Sequence, residues 1–112
     1  MKDKSRYFVR ILEYISKIQG YISGMDYKGF SDDEKTVSAC AFVISQIGEY
    51  ASRFNENERK KFPQLPWKEI RAMRNVIVHD YDNVNVKILW DTIKNDLPEL
   101  ANDIKKIIKN LS

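Results

Sequence analysis

Apolar residues recur at helical spacing along most of this chain, and this periodicity limits the possible folds more than any other feature. The longest stripe of such apolar residues lies in the C-terminal segment of the chain, with alternating spacings of four and three residues. Its members are Val86, Trp90, Ile93, Leu97, Leu100, Ile104, Ile107 and Leu111. Such a pattern gives a helix one apolar and one polar face. A chain made of such segments buries its stripes by packing helix against helix.

Turn and capping residues define two helices in the first half of the chain. The first helix is predicted over residues 5–23, followed by a loop over residues 24–30 that contains two glycines. Ser31 and Glu34 have the spacing of a capping box, in which each side chain accepts a hydrogen bond from the backbone of the other residue. This box predicts the start of the second helix, which ends near Phe54.

The second helix carries a stripe of mostly small apolar residues: Val37, Cys40, Ala41, Ile44, Ile47, Gly48 and Ala51. A glycine in mid-helix costs about 1 kcal/mol relative to alanine. The simplest reason to tolerate Gly48 is a close contact with another helix. Cys40 lies on the same stripe and is predicted to be a small core residue.

A third main helix is predicted over residues 67–79 or 67–80, with Pro66 in its first turn, where a missing N–H is tolerated. The connector before it contains another capping box, Asn55 and Glu58, which predicts a short helical turn. Asn85 is the predicted N-cap of the last helix. The fold class is therefore all-α: an antiparallel bundle of four main helices with a short extra helical turn after helix two.

Length and composition limit the number of domains and the classes of function that the chain can have. A chain of 112 residues with 43% hydrophobic and 31% charged residues fits one domain, residues 1–112. The net charge of +3 permits a nucleic-acid partner without requiring one. One cysteine excludes an intrachain disulfide, and no apolar run is long enough to cross a membrane. These features predict a cytoplasmic protein.

Residues 74–81, Arg-Asn-Val-Ile-Val-His-Asp-Tyr, hold the strongest functional candidates and the only histidine. Two interpretations are open. In the first, His79 is favoured at a helix C-terminus by the helix dipole and Arg74 is a surface charge. In the second, the helix end relaxes so that Arg74, His79 and Tyr81 converge on one anion.

The second interpretation fits cleavage of an RNA phosphodiester without metal. His79 would deprotonate a ribose 2′-hydroxyl, and Arg74 would stabilise the charge that builds on phosphorus. The leaving oxygen needs a general acid, and the chain has no second histidine. A symmetric dimer would supply it by bringing two copies of the segment to one cleft.

Other chemistries have less support. The carboxylates are scattered, and a single histidine without a cysteine pair makes a poor transition-metal site. No glycine-rich phosphate loop is present. We therefore expect no metal and no cofactor. The aromatic residues Tyr7, Phe8, Tyr14 and Tyr21 are expected to form core or dimer contacts.

The segment of residues 74–81 resembles the Arg-x4-His-x-Tyr motif of HepT-like proteins in the HEPN superfamily. The resemblance extends to Ile47-Gly48-Glu49, to the Pro-Trp-x-x-Ile-x-x-Met-Arg-Asn pattern of residues 66–75, and to Trp90 with residues 95–100. One departure follows the motif, where residues 82–85 read Asp-Asn-Val-Asn and lack the glycine of many relatives. Asparagine tolerates a left-handed conformation, so the departure affects the rim of the cleft more than the fold.

The resemblance implies a homodimeric toxin ribonuclease that acts on RNA, such as tRNA, without metal. Its partner would be an antitoxin nucleotidyltransferase that silences it by adenylylation (AMPylation) of the motif tyrosine. By position, Arg74 and His79 would be catalytic, Asn75 would support the site, and Tyr81 would be the modified residue. The alternative is a non-catalytic HEPN module that binds a nucleotidyltransferase or a nucleotide.

Overall fold

The computed structural model describes residues 4–75 and 85–111, and every regular element in these ranges is helical. The first range contains α1 (Ser5–Tyr21), α2 (Tyr27–Asp32), α3 (Glu34–Ser52), α4 (Glu56–Lys60), α5 (Trp67–Ala72) and a 3-10 helix (Met73–Asn75). The second contains α6 (Val86–Asp91), a π-helical segment (Thr92–Asp96) and α7 (Leu97–Leu111). The predicted all-α bundle is confirmed. None of the described helices is long and apolar enough to cross a membrane.

The core lies between α1, α3 and the C-terminal helical run. Helix α1 packs against both α3 and α7, while α5 and the 3-10 helix also pack against α3. The small-residue stripe of α3 is buried as predicted. Cys40 is fully buried within it, and this burial raises the pKa of its thiol to about 11. The predicted role of Cys40 as a core residue is confirmed.

A cluster of aromatic side chains packs the connector between α3 and α5 against α1. The ring of Phe8 lies 4.8 Å from that of Phe54 and 5.2 Å from that of Phe62, and Phe54 lies 4.9 Å from Trp67, centroid to centroid. The indole N–H of Trp67 donates to the Phe62 carbonyl oxygen at 2.9 Å. This buried cluster fixes the start of α5, the helix that leads to the candidate site.

The sequence-based prediction for residues 24–34 is wrong in two respects. Tyr27–Asp32 forms helix α2 instead of a loop, capped by the Asp26 carboxylate, which accepts from Gly29 N at 2.8 Å. Ser31 lies inside this helix, so the N-cap of α3 is Asp33 and not Ser31. Asp33 accepts from Thr36 N at 3.0 Å, and this backbone hydrogen bond lowers the pKa of its carboxyl.

The other two predicted caps are confirmed. Asn55 and Glu58 form the reciprocal capping box of α4, with both hydrogen bonds at 2.8 Å. Asn85 caps α6 by accepting from Ile88 N at 3.0 Å. The π-helical segment directly precedes Pro98, the second residue of α7, and joins α6 to α7. Proline lacks a backbone N–H, and a local change of hydrogen-bond register accommodates this loss.

Candidate active site

The structure describes two of the four predicted site residues. Arg74 and Asn75 end the 3-10 helix that continues α5, so the α-helical part of the predicted third main helix ends at Ala72. Both side chains are exposed. His79 and Tyr81 lie outside the described residues, so the convergence of Arg74, His79 and Tyr81 on one anion stays a prediction.

Gly48 lets the backbone at Arg74 lie directly against α3. A Cβ atom built on Gly48 would stand 2.2 Å from the Arg74 backbone nitrogen and 2.9 Å from both its Cα and its Cβ. Real Cβ atoms do not approach backbone atoms so closely, so only glycine fits at position 48 in this arrangement. The close contact expected at Gly48 is confirmed, and its partner is the backbone of the predicted catalytic arginine.

A second contact connects the Arg74 side chain to the same helix. The guanidinium Nη1 lies 3.5 Å from the Ser52 hydroxyl oxygen, at the long limit of a hydrogen bond. Ser52 in turn donates to the Gly48 carbonyl oxygen at 2.9 Å. The last turn of α3 therefore contacts both the backbone and the side chain of Arg74.

Among the described residues, the guanidinium of Arg74 is bonded only to Ser52. No carboxylate within residues 4–75 and 85–111 forms an ion pair with it. Arginine has five N–H donors in a planar fork that suits bidentate contact with phosphate. An exposed arginine whose backbone packs closely against a neighbouring helix is suited to bind an anion from solution.

The surface between α5 and α7 is acidic. A cavity of about 230 Å³ between α5 and α7 is lined by Pro66, Glu69, Ile70, Met73, Asp96, Glu99, Leu100 and Asp103. Four of these residues carry carboxylates. Across the part of the chain that the structure describes, no cluster of histidine, cysteine and acidic residues could hold a metal ion.

Sequence reasoning missed Ser52 as a site residue. Its only signal was a position one helical turn after Gly48, which places both residues on one face of α3. That face could be assigned to Arg74 only after the path of α5 across α3 was known.

Comparison with known proteins identifies the family. A family model described as "Ribonuclease HepT-like" matches residues 11–107. The chain belongs to the HepT-like ribonuclease family. The resemblance carried by the sequence motifs is therefore confirmed, and the description of the family names it as a ribonuclease family.

Two curated relatives of this HepT-like chain illustrate the match. "Probable ribonuclease HepT" of Thermococcus cleftensis is 31% identical over 103 residues, covering 92% of this chain and 94% of the relative. "Putative RNase MJ0125" of Methanocaldococcus jannaschii is 31% identical over 110 residues, covering 98% of this chain and 95% of the relative. No solved structure matches this chain.

Proposed function

We propose that this chain is a metal-independent endoribonuclease, the toxin half of a toxin–antitoxin module, with Arg74 and His79 as its catalytic residues. One structural observation supports this proposal most directly. The exposed Arg74 guanidinium stands at a helix end whose backbone is packed against Gly48. A cationic side chain that is exposed and whose backbone is held in place suits the electrostatic stabilisation of a reacting phosphate.

The proposed reaction is an attack by the RNA on its own backbone. His79 accepts the proton of a ribose 2′-hydroxyl, and the 2′ oxygen forms a bond to the adjacent phosphorus. Arg74 binds the phosphoryl oxygens, on which negative charge grows. The bond from phosphorus to the 5′ oxygen of the next nucleotide breaks, and a general acid protonates that oxygen. The products are a 2′,3′-cyclic phosphate and a 5′-hydroxyl.

A homodimer would complete this reaction. The chain contains one histidine, and a base and an acid are needed on opposite sides of the phosphate. In a two-fold symmetric cleft, one copy of His79 acts as the base and the second copy's histidine acts as the acid. Asn75, which follows Arg74 in the same 3-10 helix, would support the site from within each copy.

The role of Arg74 can be tested with substitutions that separate charge from geometry. Arg74→Gln is expected to lower kcat by about 10²–10³-fold, as loss of one transition-state donor does in other enzymes. Arg74→Lys should retain more activity than Arg74→Gln, because it keeps the charge and loses the bidentate fork. Lys68→Gln, which removes an exposed charge from α5, is the matched control. Activity of Arg74→Gln equal to that of the control would exclude the catalytic role.

Regulation is proposed to act through Tyr81. A partner nucleotidyltransferase would transfer an adenylyl group from ATP to the Tyr81 hydroxyl with release of pyrophosphate and a proton. The modified tyrosine then carries a negatively charged phosphate in the same segment as Arg74, residues 74–81, where it would compete with RNA phosphate. Co-expression with a nucleotidyltransferase encoded next to this chain should add adenylyl mass to the wild type and leave Tyr81→Phe unmodified. Equal mass increases in the two chains would exclude Tyr81 as the modified residue.

A further inference from the structure

A cluster of cations and tyrosines lies between α1 and the C-terminal half of α3. We define the Tyr50 cluster as Arg10 and Tyr14 of α1 together with Tyr50 and Arg53 at the end of α3. The Arg53 guanidinium carbon lies 4.1 Å from the centroid of the Tyr50 ring, and that of Arg10 lies 4.8 Å from the centroid of Tyr14. The two tyrosine rings are 5.8 Å apart. Two positive charges are therefore held over one pair of neighbouring rings.

Both guanidinium groups act on the Tyr50 hydroxyl. Hydrogen bonds from Arg10 and then from Arg53 lower the pKa of the Tyr50 hydroxyl. Arg10 also donates to the Glu13 carboxylate at 2.9 Å, whereas no ion pair joins Arg53 to a carboxylate in the described ranges. Among the described residues, Glu13 is the only carboxylate that forms an ion pair with either arginine, so the two cations beside Tyr50 leave an excess of positive charge that an anion would neutralise.

The Tyr50 cluster begins next to the candidate active site. Arg53 directly follows Ser52, whose hydroxyl lies 3.5 Å from the Arg74 guanidinium. Successive residues of a helix are about 100° apart around its axis, so Arg53 occupies the surface between the Arg74 side of α3 and the α1 side. A backbone bound at Arg74 and running over this surface meets Arg53 first and Arg10 next.

The charges on the two sides of the candidate site also favour a path of the RNA from Arg74 toward α1. The cavity on the α7 side of α5 is lined by Glu69, Asp96, Glu99 and Asp103. These carboxylates repel a polyanion, whereas Arg10 and Arg53 attract it. RNA that reaches Arg74 is therefore directed along α3 toward α1 and away from α7.

We infer that the Tyr50 cluster binds the phosphate backbone of the RNA substrate next to the scissile position, with Arg10 and Arg53 as the phosphate ligands. The inference rests on the proposed ribonuclease function, which supplies RNA as the ligand. The tyrosines act by holding the guanidinium groups in place, because stacked arginines lose less side-chain freedom when they bind. Backbone contacts of this kind position a nucleic acid without reading its sequence.

The test is a binding titration that cleavage does not disturb. The probe is a fluorescent single-stranded RNA of mixed sequence with 2′-O-methyl groups, which lack the nucleophile of the proposed reaction. Binding to the full chain in EDTA is followed by anisotropy over a range of salt concentrations. Arg10→Gln and Arg53→Gln should each weaken binding roughly fivefold to tenfold and reduce the salt slope by about 0.7, the value for one phosphate contact to a single strand.

Two further variants sharpen the result. Lys35→Gln removes an exposed charge about 27 Å from Arg53 along α3, at 1.5 Å per residue, and should bind within twofold of the wild type. Glu13→Gln removes the carboxylate that occupies Arg10 and should tighten binding, a gain that a merely structural role for Arg10 does not produce. Thermal melts of all variants are recorded to test whether each one is folded.

Equal binding by wild type, Arg10→Gln and Arg53→Gln would overturn the inference, and so would losses no larger than that of Lys35→Gln. Cleavage of unmethylated RNA by the unmodified wild type is measured in parallel. Cleavage with unchanged binding in both arginine variants would reject the Tyr50 cluster and leave the ribonuclease standing. Neither cleavage nor binding by the unmodified wild type would reject both proposals.

Discussion

At the scale of single residues, Gly48 and Arg74 form the pair on which the candidate site depends. The glycine was recognisable in the sequence as a costly mid-helix residue, and its cost relative to alanine is about 1 kcal/mol. Its partner was not recognisable, because positions 48 and 74 are far apart in the chain and only the packing of α5 against α3 brings them together. Sequence predicts that such a contact exists, and structure identifies the atoms that make it.

Alanine at position 48 is expected to displace Arg74. The new Cβ would stand 2.2 Å from the Arg74 nitrogen, so the 3-10 helix must move away from α3. Overpacking of this kind costs about 1–3 kcal/mol, which exceeds the gain in helix propensity. Gly48→Ala should therefore lower both the free energy of unfolding, measured in urea, and the rate of RNA cleavage.

Gly20→Ala is the matched control for this prediction. Gly20 lies in α1, and a Cβ added there would meet nothing within 4 Å. The substitution should raise the free energy of unfolding by roughly 0.5–1 kcal/mol and leave cleavage unchanged. A Gly48→Ala variant as stable and as active as Gly20→Ala would contradict the proposed role of Gly48.

At the scale of helices, local signals predict helix ends well when both partners of a cap are close in sequence. The Asn55 and Glu58 box and the Asn85 cap follow the spacing that the sequence shows. The prediction at Ser31 is wrong because a different interaction decides the local structure. Phe30 is fully buried, with its ring 4.9 Å from that of Trp90, and this long-range contact stabilises α2 over the residues expected to form a loop.

The α4 capping box is expected to weaken in acid. A hydrogen bond from the Asn55 backbone, aided by the charge of Lys4, lowers the pKa of the Glu58 carboxyl. A carboxyl whose pKa is lowered by folding contributes stability above the pKa of the unfolded chain, and that contribution is lost as the pH falls through the lower folded value. The difference in unfolding free energy between wild type and Glu58→Gln should therefore shrink as the pH falls from about 6 to about 3.

Glu99→Gln is the control for this measurement. Glu99 is an exposed carboxylate of α7 for which no hydrogen bond or ion pair to a described residue is found. Both variants lose one negative charge, so general charge effects cancel between them. A difference from wild type that stays constant with pH for Glu58→Gln would show that the capping carboxylate does not contribute to stability.

At the scale of the whole molecule, the bundle was predictable because its helices are long and strongly amphipathic. The surfaces between helices were not, because they join residues that are distant in sequence. Tyr14 was expected to form a core or dimer contact and does pack against the core, but its position beside Arg10 in the Tyr50 cluster was not predicted. The sequence shows that these residue types are present, but it does not show which of them lie side by side in the folded chain.

The dimer proposal makes a quantitative prediction for mixed assemblies. If the shared cleft needs His79 from both copies, a dimer with one His79→Ala chain is inactive. With equal amounts of the two chains and random exchange, about a quarter of the dimers are wholly wild type, so activity should fall to about a quarter. Activity of one half would show that each copy acts alone, and sedimentation of the mixture establishes the size of the assembly.

The central claim is that Arg74 and His79 cleave RNA without metal, and one measurement tests it most directly. Purified protein whose intact mass shows no adenylyl group is incubated with RNA in EDTA, wild type beside His79→Ala. We predict cleavage by the wild type alone, with 2′,3′-cyclic phosphate ends. No cleavage by the unmodified wild type, or equal cleavage by His79→Ala, would contradict the claim.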